Sequence, residues 1–361
     1  MDLTLTAEQT MLVDAARRFL ARAWSLADTR AAERDPRGFR PDAWREMAGL
    51  GWHGMELPAA YGGGGLGFVE TMLVLEEMGR VLLPSPMLST VVMCAPLILA
   101  LGNEAQRRWL ARIAAGEMVA TLAVAEPGWR DPWGTPALPA DGGGRLTGRK
   151  LFVPFAPDAD LLLVAAAGPS LVALARGAAG VTVTRLATLG GDPVYEVVLD
   201  RAPGEPLGAA GAAGPALARA LDRGAVATLA YMAGAAERAL AMTVDHAGTR
   251  HQFGQPIGSF QAVAHRCVDM RTDLDALRHL VYQAAWSLEA GREGPLAVSA
   301  AVAYGSEALR RLFMHAHQVH GAIGFSTEHD LHLFTRRAKA AELQWGSPAR
   351  HHERVAQAMG L

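Results

Sequence analysis

Residues 250–261 read Arg-His-Gln-Phe-Gly-Gln-Pro-Ile-Gly-Ser-Phe-Gln, and this stretch decides how the rest of the chain is interpreted. Ala and Leu recur at helical spacing before it, which predicts that a long helix ends near Arg250. Gly254 and Pro256 predict a turn, and Ser259 is a candidate N-cap for the next helix. An arginine beside backbone donors at such a junction can hold a phosphate group. On composition alone, a helix hairpin with a solvated arginine is the commoner arrangement.

Helical sequence patterns occupy both ends of the chain. Thr6 is a predicted N-cap for a first helix, and helical patterns continue to about residue 118. The uncharged run 87–101, interrupted by Pro96, predicts a buried helix because it is shorter than the roughly 20 residues that a membrane helix needs. After residue 215 the helices lengthen, with charged outer faces. They are expected at about 216–248, 258–290, 295–320 and 328–343.

The middle of the chain has a sequence pattern typical of β-structure. Short β-type runs separated by Gly, Pro and Asp begin at Val119, which predicts a compact antiparallel sheet or barrel. The order of helices, sheet and helices predicts an α+β protein with segregated elements. The β-type runs are 120–125, 150–155, 161–165, 171–175, 181–186 and 195–199. The predicted domains are 1–118, 119–207 and 215–361, and small residues form a linker at 208–214.

Composition limits the class of protein. The 361 residues, half of them apolar, can bury a substantial core in two or three domains. A formal charge of -2 gives no reason to expect nucleic acid or a membrane surface as a partner. Two distant cysteines predict no disulfide framework, and the histidines come with no convergent carboxylate or cysteine set, so no metal is expected. Because the N-terminus has no apolar signal core, we expect a cytoplasmic protein.

The pattern Arg-x-Gln-Phe-Gly-x-Pro-Ile-x-x-x-Gln at 250–261 resembles the signature of the FAD-dependent acyl-CoA dehydrogenase superfamily. Further stretches resemble the same family in the same order, so that the resemblance spans nearly the whole chain. They are an early Gly-rich turn at 57–63, Leu-Glu-Glu-Met-Gly-Arg at 75–80, Glu-Pro at 126–127, a flavin-flanking strand at 147–154 and a late Gly-rich motif at 318–325.

The resemblance implies an N-terminal helical domain, a middle antiparallel β domain and a C-terminal four-helix bundle, assembled as a tetramer. FAD would lie between the β domain and the bundle, with its adenine end at a neighbouring subunit. Arg250 would pair with the FAD pyrophosphate. The residues beside the dinucleotide would be Gln252, Phe253, Ile257 and Gln261. The residues that approach it from the partner subunit would be Gln318, Gly321 and Ala322, and those bordering the isoalloxazine would be Ala125, Phe152, Val153 and Pro154.

Some of these positions depart from the family's pattern. Ala125 and Pro154 stand where the family usually has hydroxylic residues, so two side-chain hydrogen bonds to the flavin ring would be missing. Ala322 replaces a glycine. Backbone groups can still serve a flavin at such positions. The resemblance therefore still implies FAD.

The catalytic base of the family, a glutamate that removes the proton α to the thioester carbonyl, has no counterpart where the resemblance would put it. Most members carry it before a Gly-Thr pair after the late helix, and the matching position here, before Gly346, is Trp345. Other members carry it on the first helix of the bundle, and counting back from Phe253 gives Gly224. Losing a general base typically costs about 10²–10⁴-fold in rate.

Three other carboxylates could replace the glutamate. Glu342 precedes Trp345 by three residues and could point to the same side of a persisting helix, which makes it a weak candidate. Asp222 lies two residues from Gly224, and Glu328 is expected at a helix start, where it would support capping. For each of them a structural or solvated role is the commoner one.

Residues 328–333 and 336–339 resemble a bacterial subgroup of shortened acyl-CoA dehydrogenases whose members often pair with a related chain. The resemblance implies α,β-desaturation of an acyl-CoA thioester, in fatty acid or sterol side-chain metabolism, within a homo- or hetero-tetramer. A related subunit would supply the base, and an electron-transfer flavoprotein would accept the electrons. Two alternatives stay open: a flavin monooxygenase on the same fold, which needs no base for the α proton, and a non-catalytic structural subunit.

Overall fold

The structure is a computed structural model that describes residues 4–129, 131–141, 144–292 and 294–361. Its N-terminal part is helical, as the sequence predicts. Thr6 caps the first helix, because its hydroxyl accepts a hydrogen bond from the Gln9 amide while the Gln9 side chain accepts one from the Thr6 amide. The helices of this part are α1 (Ala7–Ala23), α2 (Leu26–Arg34), α3 (Pro41–Gly49), α4 (Phe68–Arg80), α5 (Ala95–Leu101), α6 (Glu104–Arg107) and α7 (Trp109–Ala114).

A π-helix over Leu88–Cys94 precedes α5. Pro96 has no amide hydrogen to offer the Val92 carbonyl four residues earlier, and that carbonyl accepts a hydrogen bond of 3.1 Å from Nε of Arg223 instead. The buried helix predicted over 87–101 is therefore confirmed as buried helical structure, but it contains two helical geometries.

Two small sheets form the middle region. Their strand orders are β1-β3-β4-β7 and β2-β6-β5, and apolar side chains from both sheets share one core that includes Leu146 and Val164. All pairings between the described strands of these sheets are antiparallel except β1–β3, which is parallel. The antiparallel prediction is wrong for that pair, because β2 and a loop provide the crossover that parallel strands need. The strands are β1 (Ala120–Ala123), β2 (Arg145–Pro154), β3 (Leu161–Ala166), β4 (Ser170–Ala175), β5 (Val181–Arg185), β6 (Val194–Pro203) and β7 (Glu205–Pro206).

Long helices return in the C-terminal part, with a short hairpin between the first two. The elements are α8 (Gly214–Thr249), β8 (His251–Gln252), β9 (Gln255–Pro256), α9 (Gln261–Glu289), α10 (Gly294–His320), α11 (Leu331–Gln344) and α12 (Pro348–Ala358). The structure shows that α11 begins at Leu331 rather than at residue 328, so Glu328 lies outside it, and α12 is a helix that the sequence patterns do not predict.

The predicted N-cap of α9 is wrong. Ser259 lies in a short 3-10 turn over Ile257–Ser259, and its hydroxyl donates to the Pro256 carbonyl at 2.7 Å. Phe260 holds the cap position of α9 without a side-chain cap. Because the chain closes this extra turn first, the helix starts later than the sequence pattern suggests.

Packing divides the chain into two units, each discontinuous in sequence. The first unit is made of Met1–Thr29, Phe68–Leu83 and Ala225–Leu361, and the second of Arg30–Gly67 and Pro84–Gly224. The division into three domains at 1–118, 119–207 and 215–361 stays a prediction. Every described helix is too short or too polar to cross a membrane.

Two glycines set the spacing between α4 and α8 in the first unit. A Cβ added to Gly79 would collide with the Tyr231 carbonyl oxygen, and one added to Gly234 would collide with that of Glu76. Only glycine permits backbones to approach this closely. Beside the crossing, the Glu76 carboxylate accepts hydrogen bonds from Arg278 Nε at 2.8 Å and, through its other oxygen, from another side chain of α9, the Tyr282 hydroxyl, at 2.7 Å.

Candidate flavin and acyl-CoA site

The motif at 250–261 forms the end of α8 and the β8–β9 hairpin. The Arg250 carbonyl accepts a hydrogen bond from the Ile257 amide at 2.8 Å, which closes the hairpin. Phe253 and Gly254 turn the chain with φ values of 53° and 80°. A positive φ is rare for a bulky residue, and the Phe253 side chain is 92% exposed. The hairpin therefore holds Arg250, Gln252 and Phe253 at the surface of the first unit.

The late Gly-rich motif spans the last turn of α10 and the 3-10 turn after it, in the same unit. Gly321 has a φ of 64° and open space where a Cβ would stand, and Ala322 beside it is exposed. Gln318 and Gly321 line a cavity of about 470 Å³, together with Arg310 and Lys339. Two of the predicted partner-facing residues thus share one cavity, whose lining includes charged side chains.

The predicted isoalloxazine border lies in the second unit. The Ala125 carbonyl accepts a hydrogen bond from the Leu151 amide at 2.8 Å, which ties the end of the first strand to β2. A β-bulge between Lys150 and Val153 gives Phe152 a φ of 54° and leaves it 59% exposed. The Val153 side chain lies in the core of the sheets, so only its backbone can face a ligand.

The residues of each unit fit FAD when each unit is taken by itself. The first presents an exposed arginine, an open glycine and a cavity with cationic side chains, which suit a dinucleotide diphosphate. The second presents an exposed aromatic ring on a bulged strand, beside which a flavin can stack. Since Ala125 and Pro154 have no hydroxyl, hydrogen bonds to the flavin at these positions can come only from backbone groups.

Trp345, at the first predicted base position, is part of the packed interior. It is the C-cap of α11 and only 5% exposed. Its Nε1 donates a hydrogen bond of 2.9 Å to the Thr228 hydroxyl, and its carbonyl accepts one of 2.6 Å from Nε2 of His351 on α12. Thr228 lies one helical turn after Gly224, the second predicted base position, on α8. An indole held in this way has no basic group with which to remove a proton from carbon.

Two of the three substitute carboxylates, Asp222 and Glu342, have side-chain partners. Asp222 is buried and accepts a hydrogen bond of 2.8 Å from Nε1 of Trp133. Glu342 pairs with Lys339 at 3.0 Å and lines the 470 Å³ cavity described above. Glu328 is exposed, before the start of α11.

Sequence reasoning missed the residues that hold these positions. Trp133 contacts a residue 89 positions away, and Thr228 one 117 positions away. No local periodicity or motif marks such partners, because only the fold brings them together. Among the described residues, no three His, Cys, Asp or Glu side chains gather as a metal ion would require.

Comparison with known proteins identifies the family. The acyl-CoA dehydrogenase N-terminal domain matches residues 6–117, and the acyl-CoA dehydrogenase C-terminal domain matches residues 214–360. The acyl-CoA dehydrogenase FadE27 of Mycobacterium tuberculosis is 33% identical over 332 residues, which cover 88% of this chain and 87% of that protein.

Solved structures agree. The ChsE4-ChsE5 complex from Mycobacterium tuberculosis is similar with a TM-score of 0.90 at 29% identity, covering 100% of this chain and 99% of that chain. The Tcur3481-Tcur3483 steroid ACAD has a TM-score of 0.89 at 32% identity and covers 99% of both chains. The predicted layout of helical, β and helical regions is confirmed by these similar folds. The chain therefore belongs to the acyl-CoA dehydrogenase family, and it is a flavin oxidoreductase with FAD as its cofactor.

Proposed function

We propose that the chain is a subunit of an acyl-CoA dehydrogenase that desaturates an acyl-CoA thioester, and that a related partner chain supplies the catalytic base. The observation that supports this proposal is the buried Trp345, hydrogen-bonded to Thr228, at the position where the sequence resemblance would put the family's glutamate. A neutral donor in place of a base leaves the α-proton step to another group.

The chain's own residues would bind and orient the cofactor. Arg250 would pair with the pyrophosphate, and Phe152 would cover the flavin ring. When bound, FAD supplies the acceptor for the hydride that leaves the β carbon. The packed indole of Trp345 would exclude water from the acyl end, which strengthens electrostatic interactions there.

The need for a partner has two supports. Two of the similar structures carry two-component names, the ChsE4-ChsE5 complex and the Tcur3481-Tcur3483 steroid ACAD. In the first unit, Met314 and Phe325 line the 470 Å³ cavity and are 65% and 71% exposed. Exposed apolar side chains around a concave surface are typical of a site covered by another protein.

We also propose a bulky acyl group, such as a sterol side chain, and an electron-transfer flavoprotein as acceptor. The name of the Tcur3481-Tcur3483 steroid ACAD supports the first of these. A panel of short, long and steroid acyl-CoA thioesters tests it: the steroid thioester should reduce the flavin of the complete assembly fastest.

The decisive experiment compares the purified chain alone with the chain co-expressed with a related chain that has the glutamate. Acyl-CoA is added without oxygen, and the flavin absorbance is followed. We expect a yellow protein that does not bleach alone and bleaches in the pair. Bleaching of the flavin in the chain alone would show that this chain has a base of its own. Loss of that bleaching in Glu342→Gln would then identify Glu342 as the base.

A pair of variants tests whether position 345 faces the substrate. Trp345→Glu should allow acyl-CoA to bleach the flavin of the isolated chain. Trp345→Gln, whose side chain has the size of glutamate but no basic group, should not. Equal behaviour of both variants contradicts the assignment of this position.

Oxygen consumption with a hydroxylated product would favour a monooxygenase, and a colourless chain would favour a structural subunit.

A further inference from the structure

A buried ammonium group lies beneath the predicted flavin-facing strand of the second unit. Lys150 on β2 has a fully buried side chain, and its Nζ donates hydrogen bonds to the Val124 carbonyl at 2.9 Å and to Glu126 Oε1 at 2.7 Å. Val124 and Glu126 are the two neighbours of Ala125 in the chain. One cation therefore contacts the backbone before Ala125 and the side chain of the residue after it.

The Glu126 carboxylate extends this contact. It also accepts hydrogen bonds from the amides of Ala137, at 3.1 and 3.2 Å, and Leu138, at 3.0 Å. These bonds close the loop that begins after Ala125. The carboxylate thus connects the buried ammonium to both ends of this loop.

The same lysine begins the bulge that exposes Phe152. The Leu151 amide, directly after Lys150, donates to the Ala125 carbonyl at 2.8 Å. The register shift between Lys150 and Val153 then turns Phe152 outward. Both predicted flavin-bordering segments, around Ala125 and around Phe152, are therefore anchored next to one side chain.

Burying this charge is unfavourable unless its partners are well placed. Burial lowers the pKa of Lys150, and the adjacent Glu126 carboxylate opposes that change. An apolar side chain of similar length would fill the same space without removing a charge from water. A buried ion pair of this kind is therefore weak evidence for a contribution to stability.

We propose that Lys150 is a positioning residue for the flavin: together with Glu126 it orients the peptide groups around Ala125 that face the isoalloxazine ring. The proposal rests on the proposed placement of Ala125 and Phe152 beside the flavin. It explains how the chain dispenses with a hydroxyl at position 125. Because Ala125 has no polar side-chain group, the backbone itself must be held in the binding geometry.

The test compares Lys150→Met and Glu126→Gln with Arg149→Met. Arg149 is the preceding residue on β2, and its exposed side chain pairs only loosely with Glu196 at 3.5 Å. The full chain is purified, and three properties are measured: the fine structure of the flavin absorption bands, the flavin midpoint potential and the Kd for FAD by titration of the deflavinated protein.

We expect Lys150→Met and Glu126→Gln to blur the absorption bands, shift the potential and weaken FAD binding by about tenfold, the size of one lost charge-assisted hydrogen bond. Arg149→Met should leave all three properties unchanged. Should Lys150→Met fail to fold, Glu126→Gln, which keeps the shape of the side chain, decides the matter. Lower thermal stability with an unchanged spectrum, potential and Kd would overturn the positioning role while leaving the flavin assignment intact. A wild-type chain that binds no FAD overturns both.

Discussion

At the scale of single residues, the most informative side chain is Trp345. It stands where the sequence resemblance would put the family's base, and in the structure it is a core residue: buried, with Nε1 donating to the Thr228 hydroxyl. A buried side chain with a satisfied hydrogen bond can contribute to stability, and the energy of that hydrogen bond is measurable.

We expect the hydrogen bond between Trp345 and Thr228 to contribute about 1 kcal/mol to the free energy of unfolding. A double-mutant cycle with Trp345→Phe, Thr228→Val and the double variant, measured by urea denaturation, isolates that coupling. If the two substitutions lower the free energy of unfolding by strictly additive amounts, the hydrogen bond contributes nothing to it. Trp286→Phe, at a partly exposed tryptophan, is the control for loss of an indole.

A second residue makes stability depend on pH. His53 is fully buried against the Trp44 ring, with 3.6 Å between ring centroids, and burial lowers its pKa to about 3. The folded chain therefore keeps His53 neutral, while the unfolded chain takes up a proton below about pH 6.5. The stabilisation is complete above pH 6.5 and is lost as the pH falls toward 3.

Between pH 6.5 and 5 this linkage should lower the free energy of unfolding by about 2 kcal/mol, at about 1.4 kcal/mol per unit. His53→Phe should flatten the dependence, as measured by urea denaturation across that range. His352→Gln, at an exposed histidine, should retain it. A wild-type chain whose stability is constant over this range would contradict the prediction.

At the scale of elements, three histidine rings connect the ends of two helices with the loop before a third. The His320 ring at the end of α10 stacks on His246 of α8 at 4.7 Å and meets His329 edge-on at 5.0 Å. Burial lowers the pKa of His246 and of His320, and the neighbouring histidines lower both further. Arg250 also opposes protonation of His246, and Asp245 favours it.

We expect the segment 321–330 to loosen in acid, because this contact is stable above about pH 6.5 and is lost as the pH falls below it. Hydrogen exchange of these amides, corrected for the intrinsic effect of pH, should accelerate from pH 7 to 5. His246→Gln should reduce the acceleration, since it removes one of the interacting rings. An unchanged exchange pattern in wild type would contradict this expectation.

The crossing of α4 and α8 gives a second prediction at this scale. Gly234→Ala should lower the free energy of unfolding by about 1–3 kcal/mol, because its Cβ would meet the backbone of α4 and force the helices apart. Gly248→Ala, on the same helix with open space around it, should be neutral or slightly stabilising. Equal losses of stability in both variants, measured by thermal unfolding, would contradict the close approach of α4 and α8 at Gly234.

At the scale of the whole molecule, exposed apolar residues of the first unit point to an assembly. We expect Met314→Lys to weaken association with the partner chain, because it puts a charge on an apolar surface that would be covered. Sedimentation of the co-expressed pair measures the effect, and unchanged circular dichroism shows that the fold persists. Met11→Lys, at an exposed methionine on α1, is the control. Association that survives Met314→Lys unchanged would remove this surface from the interface.

Much of the architecture could be read from the sequence, because its signals are local. The Thr6 capping box, the six β-type runs and the long helices of the C-terminal part each depend on residues within one or two turns of one another. The family motif at 250–261 works in the same way, since a hairpin of a few residues displays it. These features depend on neighbouring residues, and so they can be predicted without knowing how the remaining chain is arranged.

Only the tertiary structure decided what depends on residues far apart. The parallel pairing of β1 and β3, the burial of Lys150 beside Glu126 and the hydrogen bond from Trp345 to Thr228 join positions that no periodicity relates. The sequence by itself predicted Trp345 at the position of the glutamate, but not the partner that holds its side chain. A hydrogen bond forms only when the fold brings donor and acceptor within about 3 Å and removes water from both.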